Sequence, residues 1–547
     1  MIFHRFRELG YLMSVTLGLA LCAVALAQPQ LTVYPAPGDL STVKHLRESA
    51  DYAVSVNGQP CFVYETVNYW QHDARMAADK VAFAIFDLRG GPATIEVDCN
   101  FPVQTVTIRP AHDHVQVTRN GNKLVFSVDG PKQLSVEVND RKRPLFIFAS
   151  APEEPDTKAQ HYFGPGVHRI GAKFPIKANE RVYLAGGAVV EGTFLCQGEN
   201  TKIRGRGILS AGRWTREEWK KDQKLSIITH STRGNHDHHE YSGVVLLNSP
   251  GWFVNGYGKF LTCSNLKIIG WGGNTYGPHL NGNGRFEHSF IFNNDDSLIT
   301  NRGIDNVFRD CVVWKGPWGH PMVSLNPINQ ENILYEDIDI IADEQRNKFG
   351  TIAITFGGGS VKNVTGSGTR RNFTYRNIRI EEPRSAILLK LEVAAGSRLE
   401  NVRFEDITAS GQLPSEGMLS ASKGGVLDKV SFKNVRLDGG SDDRGKEDKG
   451  EPEVIQHRGR AATMPVGGRG ASAKATTGRS GELTGEDGDR GALALGNEGP
   501  GPGGPGFRGG GVLRHRQHGG CDTFQLGGVV EIEEPVAETD VAPHETF

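Results

Sequence analysis

The chain lacks most features that would settle its class at once. Its seven cysteines (Cys22, Cys61, Cys99, Cys196, Cys263, Cys311 and Cys521) are widely scattered and include no Cys-x-x-Cys pair. That spacing excludes a zinc framework and a dense disulfide scaffold; Cys263 and Cys311 fall inside β-like runs and read as buried small apolar residues. Charge is nearly balanced, at −2 over 547 residues, so nothing in the whole-chain electrostatics calls for nucleic acid or an anionic surface. Beyond residue 26 no apolar run is long enough to cross a membrane. Amphipathic helical stretches of about ten residues are missing between the apolar runs, which argues against a parallel-sheet α/β domain.

The one long apolar run, Tyr11 to Leu26, follows basic residues at His4, Arg5 and Arg7 and ends in Ala25-Leu26-Ala27 before Gln28. This is the pattern of a cleavable export signal over residues 1–27, so the mature chain is expected to be secreted or periplasmic.

Glycine, by contrast, is abundant, at 69 residues, as a turn-rich β protein requires. Residues 28–160 read as an N-terminal β-sandwich. Short alternating runs such as Tyr52-Ala-Val-Ser-Val56, Leu124-Val-Phe-Ser-Val128 and Leu145-Phe-Ile-Phe148 recur about nine times, separated by turn signals including Asn57-Gly58 and Asn120-Gly121. This unit carries no acid/base constellation and is expected to pack or to hold substrate.

Residues 161–440 have a different texture. Glycine-punctuated strands (Val182 to Gly192, Thr201 to Ser210) lead into a degenerate repeat, a polar anchor followed by apolar–x–apolar. Its anchors are Asn265, His288, Asp310, Asp337, Asn377, Asp406 and Asn434, at intervals of 23, 22, 27, 40, 29 and 28 residues. One short strand at a fixed phase with a pitch in the twenties predicts a parallel β-helix, whose coils bury their apolar faces by stacking. The anchors are expected to form a ladder of polar side chains at a bend. Trp214 to Lys224 reads as a charged surface excursion. His236-Asp-His-His-Glu240 reads as a solvated loop in preference to a metal cluster. From 441 to 547 the chain is rich in Gly, Arg, Glu and Pro and is expected to stay unfolded; its Arg-Gly segments are not taken as nucleic-acid binders in an exported protein.

Three polar clusters share one phase of the repeat. Asn274 and Tyr276 lie 9 and 11 residues past Asn265, Asp295 and Asp296 lie 7 and 8 past His288, and Trp318 and His320 lie 8 and 10 past Asp310. Coils stack about 4.8 Å apart, so the clusters should meet at a single glycosidic bond. Two carboxyl groups in contact split their pKa values, giving an acid and a base. His320 is placed to tune them, and Trp314 and Trp318 to stack on sugar rings. Both aspartates can act only from a bend, because adjacent residues of a regular strand face opposite ways. The pair facing a groove would favour catalysis; capture of either carboxylate in a backbone cap would favour binding without hydrolysis.

Val182 to Gly192 with Ile203-Arg-Gly-Arg-Gly-Ile-Leu-Ser210, and Asn294-Asp-Asp-Ser-Leu-Ile-Thr300 with Val312-Val-Trp-Lys315 and His320-Pro-Met-Val-Ser324, resemble the right-handed β-helix polysaccharide hydrolases. The dextranase/isopullulanase family (glycoside hydrolase family 49), which carries an N-terminal sandwich, is the nearer likeness, and the polygalacturonases (family 28) are the alternative. The resemblance covers about residues 50–440 and implies an all-β fold, a sandwich followed by a right-handed parallel β-helix. It further implies Asp295 as general acid, Asp296 in water activation, inversion at the anomeric carbon, no metal and no cofactor, and a polysaccharide as partner of a monomer. Asn274, Tyr276, His279, Asn294, Trp314, Lys315, Trp318 and Lys390 become substrate-binding candidates. The sequence departs from these families at Asn274-Thr-Tyr-Gly277, where they carry Asn-Thr-Asp-Gly. They would have a third carboxylate where this chain has Tyr276. The Arg-Ile-Lys element that reads uronates is also missing, with Lys390 the nearest substitute. A β-helix that binds polysaccharide or a cell surface without cleaving it is therefore the second reading.

Overall fold

The computed structural model describes residues 30–70, 76–231, 236–256, 258–300, 302–325, 328–345, 350–355, 368–385, 387–411, 416–421, 424–439, 510–514 and 523–530. The export signal read over residues 1–27 lies outside them.

Of the nine runs expected in the N-terminal region, seven lie within strands; Cys61 to Tyr64 is divided at Phe62 between Gln59–Cys61 and Val63–Val67, and Val115 to Val117 enters a strand only at Val117. The strands form a seven-stranded and a five-stranded sheet, mostly antiparallel. Asn57 and Gly58 both take positive φ, 47° and 74°, and join Tyr52–Val56 to Gln59–Cys61 as a two-residue hairpin. Tyr52, Val54, Val56, Ile95, Val97 and Phe126 of one sheet pack against Phe86, Leu134, Val136 and Ile147 of the other. The strand Leu145–Ser150 is buried along its whole length. Its sequence, Leu-Phe-Ile-Phe-Ala-Ser, has no polar face, because the second face of its sheet packs on the following domain. There Tyr64, Phe83, Phe146 and Phe148 meet Ile269, Trp271, Phe290, Phe292 and Trp314.

That following domain is the parallel β-helix the repeat predicted. A continuous 21-stranded sheet winds through the coils, and a separate seven-stranded sheet runs up a second face. Successive coils pair in register, as Phe290, Ile291 and Phe292 do with Val312, Val313 and Trp314. The core is one apolar column. Within it Phe308, Tyr335, Tyr375, Phe404 and Phe432 stack ring on ring at 4.6 to 5.2 Å, the strand spacing itself.

The repeat's anchors share a backbone conformation. Asn265, His288, Asp310, Asp337, Asn377, Asp406 and Asn434 all have φ between 51° and 55°. This left-handed region is one that Asn, Asp and His tolerate and β-branched residues do not. Each anchor makes a corner, and the corners are tied along the axis: Asp310 to His288 at 2.5 Å, Asn434 to Asp406 at 2.7 Å, and Asn377 to Asp337. A second ladder, unread in the sequence, joins Asp305, Asn332, Asn372 and Asn401 at 2.7 to 3.0 Å.

Two expectations are corrected here. His239 is not part of a solvated loop: it turns inward, packs against His230 with ring centroids 4.1 Å apart and bonds Thr201 Oγ1 at 2.7 Å, leaving Glu240 outside on Lys202. The repeat's alternation of faces decides this, since Tyr241 is a fully buried strand residue. Among the described residues no His, Cys, Asp or Glu cluster is arranged to hold a metal. Of residues 441–547, expected to stay unfolded, Gly510–Arg514 and Thr523–Val530 are strands, antiparallel to Glu416–Ala421 and Val426–Gly439; the rest lies outside the described residues. The last coil offers unpaired backbone groups that any extended segment can satisfy, which composition alone did not reveal. Cys61, Cys99, Cys196, Cys263 and Cys311 are buried free thiols, and no described helix is long and apolar enough to cross a membrane.

Candidate active site

In each of three consecutive coils, a loop joins a strand of the large sheet to a strand of the second sheet. The loops run from Lys267–Ile269 to His279–Leu280, from Phe290–Asn293 to Leu298–Thr300, and from Val307–Lys315 to Met322–Ser324. They stack, and the three polar clusters meet. Asp295 and Asp296 sit on a bend of the middle loop. Asn293 fixes that bend: its amide donates to the carbonyls of Thr275, Asp295 and Asp296 at 2.6, 2.8 and 3.1 Å, and its Oδ1 accepts from Ser297 Oγ at 2.7 Å.

The two carboxylates have different surroundings. Asp295 Oδ2 accepts the Asn274 N–H at 2.8 Å and Oδ1 accepts the Asp296 N–H at 2.9 Å. Asp296 Oδ1 accepts both the N–H and the ring Nδ1 of His320, each at 2.7 Å. Burial, reinforced by the Asp296 charge, pushes the Asp295 carboxyl up to about 6. Burial would raise Asp296 as well, but His320 and Lys315 outweigh it and hold that carboxyl below the usual range. Near pH 5 one group is an acid and its neighbour a carboxylate. Gly319 permits the arrangement: its φ is +69°, and a Cβ there would lie 2.5 Å from Asp295 Oδ1 and from the Asp296 nitrogen.

Around the pair, Tyr276 takes a hydrogen bond from Asn274 Nδ2 at 3.2 Å. Burial and the two aspartates raise its phenol, so it remains a donor and does not replace a carboxylate as base. His279 is buried, and burial pushes its imidazole down to about 4. Neither of its ring nitrogens has a protein partner. Trp318 is 37% exposed at the mouth of the site.

Four candidates belong elsewhere. Trp314 is fully buried against Phe146 and Phe292, with Nε1 on Glu344 at 2.8 Å. No sugar reaches it, because the strand's pleat points it at the sandwich. Lys315 is likewise fully buried; its Nζ donates to the Gly316 carbonyl at 3.0 Å, and burial lowers the ammonium to about 8 despite the nearby aspartates. It acts on the carboxylates through charge and does not touch substrate. Asn294 is buried and holds the Trp271 carbonyl at 3.1 Å. Lys390 follows Ile299, Val323 and Ala353 in the second sheet's register. It lies three coils, about 14 Å, from the aspartates' coil and pairs with Glu392.

The sequence reading missed three residues. Trp252 packs 5.5 Å from Tyr276 and 4.6 Å from His279. Trp70 comes from the sandwich. Arg216 lies in the supposed surface excursion, on a short helix, Arg216–Lys221, whose cap Thr215 and Glu218 form reciprocally. Its guanidinium lies 5.1 Å over Trp70 and donates to Asn274 Oδ1. Sequence separation hid these contacts.

No family model matches this chain, and no curated protein matches it by sequence. Among solved structures it is similar to Dex49A from Penicillium minioluteum, with a TM-score of 0.53 at 15% identity over 69% of this chain and 90% of that one. It also matches an exopolygalacturonase from Thermotoga maritima, with a TM-score of 0.33 at 13% identity over 50% and 83%. The first likeness bears on the fold alone, a parallel β-helix of the pectin-lyase-like kind.

Proposed function

We propose that the chain is a secreted glycoside hydrolase that cleaves a polysaccharide with inversion and without a metal. The observation that carries this reading is the split carboxyl pair: two buried, adjacent aspartates on one bend, one pushed up to about 6 and the other held down. Asp295 gives its proton to the leaving glycosidic oxygen as the bond to the anomeric carbon breaks. Asp296, oriented by His320, takes a proton from the water that adds to the opposite face of that carbon. Asn274, Tyr276, His279 and Trp318 line the sugar site. The fold shared with Dex49A supports the class, and the likeness at Asn294 to Thr300 supports a dextranase-like or polygalacturonase-like activity.

The second reading, binding without cleavage, draws on one specific observation. Both Asp295 oxygens accept backbone N–H groups, and a third carboxylate is replaced by Tyr276. Each carboxylate oxygen has a second lone pair, so these caps do not exhaust the acid. Reducing-end release from dextran, pullulan, polygalacturonate, rhamnogalacturonan and sulfated galactans separates the readings. Hydrolysis that drops about 100-fold or more in Asp295→Asn supports the enzyme. Binding to a polymer with no release from any of them supports the second reading.

A further inference from the structure

Arg216 stands at the mouth of the candidate site with its positive charge unspent. It forms no ion pair with any carboxylate among the described residues, and its Nε is buried without a hydrogen-bond partner. Its one hydrogen bond goes to the neutral Asn274, whose own N–H caps Asp295. The guanidinium is fixed from below by the Trp70 ring. Trp318 approaches the same spot: a Cβ built on Gly273 would lie 3.7 Å from both tryptophans and 3.8 Å from Arg216 Nη2. Three side chains from distant parts of the chain thus converge on one bare glycine. They leave a planar, forked donor stacked on Trp70, with Trp318 nearby, next to the acid. The other cations near the cleft are engaged: Lys315 is buried beneath the aspartates and Lys390 pairs with Glu392.

A half-buried guanidinium without a counter-charge is costly unless a ligand supplies one, and its fork matches planar or tetrahedral oxyanions. We propose that Arg216, stacked on Trp70 beside Trp318, is an anion-reading subsite, and that the polysaccharide this site takes carries a negative group, a uronate carboxylate or a sulfate ester, on the unit beside the cleaved bond. This rests on the hydrolase reading for the position of the bond, but not for the binding itself.

The test is calorimetric binding to the full mature chain carrying Asp295→Asn, which removes turnover. The probes are trigalacturonate, a sulfated galactan tetrasaccharide and isomaltotriose, and Arg216→Gln and Arg216→Lys are compared in that background. One acidic probe is expected to bind about tenfold or more tighter than isomaltotriose. The preference should weaken with salt, be lost in Arg216→Gln and be partly kept in Arg216→Lys. Which acidic probe binds identifies carboxylate or sulfate. Equal or tighter binding of isomaltotriose, no binding of either acidic probe, or acidic binding unchanged in a folded Arg216→Gln chain overturns the proposal. If the wild type hydrolyses nothing yet binds an acidic probe through Arg216, the hydrolase reading fails and the subsite stands. If it hydrolyses dextran equally well with Arg216→Gln, the reverse holds.

Discussion

Trp314 and Trp318 are four residues apart, on the same coil, and serve opposite sides of the molecule. Trp314 is the penultimate residue of a strand, and the pleat drives it into the aromatic interface with the sandwich. Trp318 sits in the loop that follows and faces the cleft. The same division holds for most of these positions: strand residues point where the sheet sends them and become packing, whereas loop residues escape that alternation and are available for chemistry; His279, in the strand His279–Leu280, is the exception. Phe292 and Asp295 repeat the contrast one coil earlier, with Phe292 in the interface and Asp295 in the site.

The widest gap between the two regions should appear in activity. Asp295→Asn is expected to lower turnover about 100-fold or more with an unchanged circular dichroism spectrum, while Phe292→Leu leaves turnover within a few-fold. The converse experiment is on stability. Trp314→Ala removes a fully buried indole and leaves Glu344 Oε1 without its donor, so a loss of about 3–5 kcal/mol is expected in denaturant unfolding. Trp318→Ala should cost about 0.5 kcal/mol or less and raise KM instead. Similar stability losses for both tryptophans would break the comparison.

pH sharpens it further. In the proposed role of general acid Asp295 must be protonated, so kcat/KM should fall about tenfold per unit as pH rises beyond about 6. The same raised pKa makes Asp295 favour the folded state at low pH. Its contribution is fully present below about 4 and is lost as pH rises through about 6. The Tm difference between Asp295→Asn and wild type should therefore move in favour of the variant from pH 4 to pH 8. A difference constant with pH would contradict the raised pKa. A last effect belongs to the corners, which serve neither side. Asn377→Val, a β-branched residue at φ 53°, is expected to cost about 1–2 kcal/mol, and Asn377→Gly less.

Much of this was legible in the sequence. The anchors were visible because a left-handed corner admits few residue types, so Asn and Asp recur at one phase. The meeting of Asp295, Asp296, His320, Asn274 and Tyr276 followed from phase alone, because stacked coils convert equal offsets into proximity. What phase does not encode is the side of the chain a residue faces at the junction of strand and loop. Trp314, Lys315 and Asn294 lie at that junction and turned inward. Trp70 and Arg216 could not be placed from the repeat, since neither belongs to it. His239 needed the pleat of a strand too short and irregular to recognise.

The interface that swallows Trp314 also bears on modularity. The sandwich is joined to the helix by the buried pair Arg206–Asp87 at 2.7 Å, by Glu344 accepting the Ala77 N–H at 2.6 Å, and by Lys267 donating to Ser150 Oγ at 2.8 Å. It also lends Trp70 to the cleft. Cutting the chain near residue 160 would strand these charges and bare a sheet of aromatic rings, so the β-helix is not a cassette that can be lifted out or grafted elsewhere. The two units are better regarded as halves of one cooperative body, inherited, engineered and unfolded together.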